Sequence, residues 1–81
     1  MSFELINEDM RNAARQAEEL GLPITEKIVS LLIDCAFEHV TIQKNEDNTF
    51  DILSYSNVQP RGVLLENLVT EIRKVLEWWP N

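Results

Sequence analysis

The residue types in this chain that could do chemistry gather in one place, with Asp34, Cys35, Glu38 and His39 inside six positions. The chain holds a single cysteine and a single histidine. Four apart on a helix, the two would share a face, as a thiolate nucleophile and its base do. The helical period ends there, however, because Phe37 to Val40 leaves it, and no glycine-flanked nucleophile or oxyanion-forming turn follows. The residues therefore point to a buried structural cysteine and a half-exposed histidine. As metal ligands, Asp34, Glu38 and His39 form an incomplete set, and two carboxylates four apart are common on solvated helix faces. The stretch Asn45-Glu46-Asp47-Asn48 is rich in oxygen. It lacks the alternating acids, the glycine and the distal glutamate of a calcium loop, and Gly21 and Gly62 are too isolated to cradle a phosphate. No catalytic residue, cofactor or metal is expected, and the chain reads as a non-enzyme.

Charge says more than any motif. Seven basic residues stand against 14 acidic ones, a formal charge of −7 on 81 residues. The excess is uneven. Residues 1 to 48 carry Arg11, Arg15, Lys27 and Lys44 against ten carboxylates, whereas residues 49 to 81 carry Arg61, Arg73 and Lys74 against Asp51, Glu66, Glu71 and Glu77. Such a surface repels nucleic-acid phosphates and anionic membranes, and it favours a partner with a basic face. Glu18, Glu19, Glu26, Glu46 and Asp47 are the candidate partner-binding carboxylates, with Glu4, Glu8 and Asp9 adding to the same field. A lone cysteine excludes an internal disulfide and a cysteine-built zinc site. With no basic and apolar leader at the N-terminus and no apolar run of bilayer length, the expected setting is cytoplasmic.

The elements that position these residues follow from hydrophobic spacing. Met10, Ala13, Ala14, Ala17 and Leu20 form one stripe on a helix from roughly Asn7 to Leu20, with Asn7 as N-cap and Gly21 as the stop. Ahead of it, Phe3, Leu5 and Ile6 read as an apolar arm over the core. A second helix runs from Thr25 to about Phe37, and Ile28, Val29, Leu31, Leu32, Ile33, Cys35 and Ala36 surround most of it, which marks the central, most buried helix. The period then shortens to two. Val40 and Ile42, then Phe50 and Ile52, read as a β-hairpin around the polar turn, leaving Ser56 to Pro60 as a loop. The last helix is expected to start near Pro60 or Gly62, with Leu65, Leu68, Ile72, Val75 and Trp79 on one stripe. Trp79 is read as core closure, while Trp78, about 100° away on the helix, is the candidate to meet a partner.

The fold class is thus α+β, a single domain over residues 1–81 in the order helix, helix, hairpin, helix, with helices packed on a two-stranded antiparallel hairpin. Two open strand edges would need cover, and pairing with a second copy or with a target's strand would each supply it. In size and charge the chain resembles, as a class, the small acidic inhibitors of phages and mobile elements that occupy nucleic-acid-binding surfaces. Two other readings stand beside it. Ala17-Glu18-Glu19-Leu20-Gly21-Leu22 sets a small residue four before a turn glycine, and residues 10 to 55 resemble a winged helix in outline, which implies DNA binding. The exposed positions of its recognition helix (Thr25, Glu26, Lys27, Ser30 and Asp34) hold one base, which counts against that reading. The third reading is a structural subunit of a larger assembly, held by the hairpin edge and the tryptophans.

Overall fold

The computed structural model describes residues 7–55 and 59–77, and the elements run α1 (Glu8–Leu20), α2 (Glu26–Phe37), β1 (Thr41–Lys44), β2 (Phe50–Leu53) and α3 (Leu65–Glu77). This is a compact small α+β domain, as expected. Phe3, Leu5 and Ile6, residues 56–58 of the connecting loop, and Trp78 and Trp79 lie outside the described residues. Among the described residues no helix is long and apolar enough to cross a membrane.

Both N-caps stand where the sequence puts them. The Asn7 side chain accepts from the Met10 N–H at 2.8 Å, and Thr25 Oγ1 accepts from the Ile28 N–H at 3.2 Å. Each cap satisfies one of the amides that a helix start leaves without an internal partner. The two helices also end alike. At α1, Gly21 sits at φ 74° while its N–H donates to the Glu18 carbonyl and the Leu22 N–H to Ala17; at α2, His39 sits at φ 59° while its N–H donates to Ala36 and the Val40 N–H to Cys35. Each is a Schellman closure, and each brings a buried apolar residue, Leu22 or Val40, back under the helix end.

The helices pack in series, α1 on α2 and α2 on α3, with α3 also touching β2. Ala13, Ala14 and Ala17 form the contact face of α1, and Ala17 is fully buried. Small side chains there let the two helix backbones approach closely. In α2, Ile28, Val29, Leu31, Leu32 and Cys35 are buried, and in α3 Leu68, Ile72 and Val75 close the far side. Ala36, however, is exposed and Ile33 half-buried, so α2 is not enclosed all round.

The hairpin pairs Thr41 with Leu53, Ile42 with Ile52, Gln43 with Asp51 and Lys44 with Phe50. Ile42, Phe50 and Ile52 point into the core. The segment after the loop departs from expectation. Residues 60–63 do not begin the last helix; they lie along the outer edge of β2, where Phe50 and Val63 exchange both backbone hydrogen bonds at 2.8 Å and the Ile52 N–H donates to the Pro60 carbonyl. Val63 is buried by this pairing, and α3 starts only at Leu65. The register is offset by one residue, and Gly62 at φ 65° takes up the offset as a bulge. The expectation of two open edges is therefore corrected, since β2 is flanked on both sides while β1 has no second strand beside it among the described residues. The stripe of α3 holds at Leu68, Ile72 and Val75, which are buried, but not at its start, where Leu64 and Leu65 are about half exposed, at 51% and 52%.

The alanine face of α1 yields a packing prediction. Ala17→Leu would force a larger side chain into a fully buried helix contact, and is expected to cost about 1–3 kcal/mol. Urea denaturation followed by circular dichroism would measure it, and an unchanged midpoint would mean that α1 does not approach α2 as described.

Candidate functional site

The closure of α2 decides the fate of the Cys35–His39 pair. Cys35 turns into the core, where it is 1% exposed, and burial, aided by the nearby Asp34 charge, pushes its thiol pKa up to about 12. At neutral pH it stays a thiol, and a buried thiol is a poor nucleophile. His39 lies on the outside, its ring edge-on to Tyr55 with centroids 5.9 Å apart. The two side chains thus part at the turn, and the helical spacing that would have joined them stops at Glu38. Asp34, Glu38 and His39 likewise form no ligand set, and among the described residues no group of three or more metal-binding side chains is present.

A polar network orders the hairpin end. Asn45 to Asn48 form the turn, closed by the Asn48 N–H donating to the Asn45 carbonyl, with Asn48 in the left-handed region at φ 68°. Asp47 Oδ1 accepts from both the backbone N–H and the hydroxyl of Thr49, which holds its carboxyl below the ordinary range. Asp51 is the hub. Its Oδ1 accepts from Asn45 Nδ2 at 2.9 Å and from the Gly62 N–H at 3.0 Å, while Arg61 stands 3.8 Å from Oδ2. These bonds, the Asn45 amide foremost, lower the Asp51 pKa as well. One carboxylate therefore joins the turn, β2 and the strand-like segment 60–63.

The remaining candidate carboxylates do no such internal work. Among the described residues the ion pairs are Arg61–Asp51 and Lys74–Glu71, and Glu18, Glu19, Glu26 and Glu46 are exposed and belong to neither. Glu18 and Glu19 lie in the last turns of α1, and Glu26 opens α2 across the intervening turn. Lys44 brings the hairpin to this end of the molecule, because its Nζ lies 3.0 Å from where a Cβ on Gly21 would stand. The last turn of α1 holds no basic residue, so this ammonium faces the negative end of the helix dipole. Four of the five described candidate carboxylates thus remain available to a partner, while Asp47 is committed to its turn. Trp78, the sixth candidate, lies outside the described residues.

At the opposite end of the two antiparallel helices is a feature that residue spacing did not single out. A groove of about 270 Å³ runs between α1 and α2, lined by Asp9, Asn12, Ala13 and Gln16 on one side and by Leu32, Ile33, Ala36 and Phe37 on the other. Phe37 forms its lip and is 70% exposed. The signal was present in the sequence, since a helix apolar on nearly all faces next to a helix of alanines leaves one face under-covered. Its location needed the packing angle, which spacing does not supply. Comparison with known families, with characterised proteins and with solved structures finds no match to this chain.

Two predictions follow from the turn chemistry. The folded-state pKa of Asp51 lies below its unfolded value, so its contribution to stability is full above the unfolded pKa and is lost as pH falls through the folded one. Asp51→Asn is expected to lower stability at neutral pH and to flatten the loss of stability between neutral and acid pH, as read by denaturation midpoints across that range. His39 adopts a conformation that costs residues with a Cβ about 1–2 kcal/mol. His39→Gly is accordingly expected to raise stability, by up to about 1 kcal/mol after the larger chain entropy of glycine is counted, and a lower melting temperature in calorimetry would contradict it.

Proposed function

We propose that this chain is a non-enzymatic protein-binding module whose acidic surface occupies a basic face of a larger protein, of the kind that otherwise holds nucleic acid. The observation that carries this reading is the disposition of charge. The acid excess stands outside the fold's own bonding, with Glu18, Glu19 and Glu26 exposed at one end and engaged in neither ion pair. A protein of net −7 is steered toward a cationic surface by long-range attraction, and a groove built for phosphates is such a surface. Catalysis gains no support from the chemical residues, since Cys35 is buried as a thiol and His39 turns away from it. Direct DNA binding is disfavoured by the same field. The exposed face of α2 offers Lys27 between Glu26 and Asp34, too few cations to displace counterions from a duplex.

The test is affinity capture on the immobilised full chain from a lysate of its own host, at low and at raised salt. A basic nucleic-acid-processing protein is expected in the bound fraction, released as ionic strength rises. The triple variant Glu18→Gln, Glu19→Gln, Glu26→Gln should retain it at least about tenfold more weakly, as expected when several charge contacts across an interface are lost together. Equal retention by the variant would reject an electrostatic interface at this end of the molecule.

A further inference from the structure

The groove between α1 and α2 joins an exposed aromatic side chain, an apolar floor and acidic flanks. Phe37 is the last residue of α2, and it stands 70% exposed at the rim of the groove. Apolar side chains stand on its groove side, with Ala13, Leu32, Ile33 and Ala36 giving a floor and Asn12 and Gln16 a polar wall. On its other side is a shallower depression shared with Asp34, Glu38 and Leu76. The aromatic lip thus lies between Asp9 across the groove and Asp34 and Glu38 behind it. Among the described residues no lysine or arginine lines either hollow, and Lys27 and Arg73 border the next depression, beyond Asp34.

We infer that this groove docks a short basic amphipathic helix of the partner, with an apolar side chain seated against Phe37 and lysine or arginine reaching Asp9 on one side and Asp34 and Glu38 on the other. The inference rests on the protein-binding reading above and names a second, apolar contact for it. Charge complementarity selects the occupant. A second copy of this chain would bring the same carboxylates and another net charge of −7 to the contact, and nucleic acid or an anionic lipid surface would be repelled in the same way. A helix laid on two antiparallel helices buries its apolar stripe in the seam between them, which is the helix-in-groove mode of recognition. An exposed aromatic side chain that becomes covered by a partner and is flanked by polar groups is the kind of residue that carries a large share of binding energy. Asn12 and Gln16 supply amide donors and acceptors for the polar flank of such a helix.

The test uses two synthetic peptides of equal positive charge titrated into the isotope-labelled full chain by nuclear magnetic resonance. One is a lysine- and arginine-rich amphipathic helix with a leucine stripe, and the other carries serine in place of each leucine. The leucine peptide is expected to bind more tightly, with shifts concentrated at Asn12, Ala13, Gln16, Ile33 and Phe37. Phe37→Ala should weaken it about tenfold, without unfolding because the side chain is exposed. Asp9→Asn with Asp34→Asn and Glu38→Gln should weaken it and reduce its salt dependence, and the triple glutamine variant at Glu18, Glu19 and Glu26 should change it less than either. Equal binding of the two peptides with shifts at Glu18, Glu19 and Glu26 would overturn the groove while leaving the acidic interface standing. Groove shifts without any loss of affinity in Phe37→Ala would overturn it too, as would concentration-dependent shifts of these residues without peptide, which would assign the face to self-association. Failure of both peptides to bind would reject the groove, and only an empty host capture beside it would reject the broader reading.

Discussion

Everything in this fold is arranged around the need to cover α2. Five of its twelve residues are buried apolar side chains, and they point in several directions rather than along one stripe. A helix of that composition cannot stand at a surface, because no single neighbour covers enough of its circumference. α1 therefore takes one flank with small side chains, α3 takes another with Leu68, Ile72 and Val75, and the hairpin closes the core with Ile42, Phe50 and Ile52. The exit from α2 is part of the same solution. By turning left-handed at His39 and returning Val40 beneath Cys35, the chain enters the sheet with its first apolar residue already in the core. What three neighbours leave uncovered is the sector of Ile33, Ala36 and Phe37, so the groove is the remainder of the packing problem rather than an addition to it.

The carboxylates divide by what they do. Asp47 and Asp51 are spent on backbone and side-chain donors that fix the turn and tie β2 to segment 60–63, and Glu71 meets Lys74 along α3. Exposed ion pairs of the last kind add little to stability. Most of the other described carboxylates are exposed, Glu8, Asp9, Glu18, Glu19, Glu26 and Asp34 among them, and in a small protein such a surplus works against the compact state through mutual repulsion. Composition alone cannot separate the two groups, since both are counted in the same −7.

The elements legible in the sequence were those with a local signature. Asn7, Thr25 and Gly21 mark helix ends by chemistry that acts within a few residues, and both the α1 stripe and the hairpin alternation follow from it. The failures share one cause, which is dependence on distant partners. Pro60 and Gly62 carry the same local signals as a helix start, yet the backbone of Phe50 and Ile52 claims that segment for the sheet and delays α3 to Leu65. His39 occupies a position that glycine usually marks, so its role in closing α2 was hidden behind its chemical reputation. For the site, the exposed glutamates could be named from charge, but Phe37 could not, because its exposure depends on how α1 crosses α2. That Asp51 is structural could be told only once Asn45 and Gly62 were seen to converge on it.

The pairing of residues 60–63 against β2 also sets a limit on assembly. Among the described residues β2 is flanked by β1 and by segment 60–63, so the sides left for further pairing are those of β1 and of this short, bulged segment. The two sides are unequal, because a bulged segment that holds a proline offers a partner strand little regular backbone to pair with. A partner strand is therefore expected along β1 first, and the bulge at Gly62 guards the opposite side in the way that irregular edges protect small sheets from open-ended stacking.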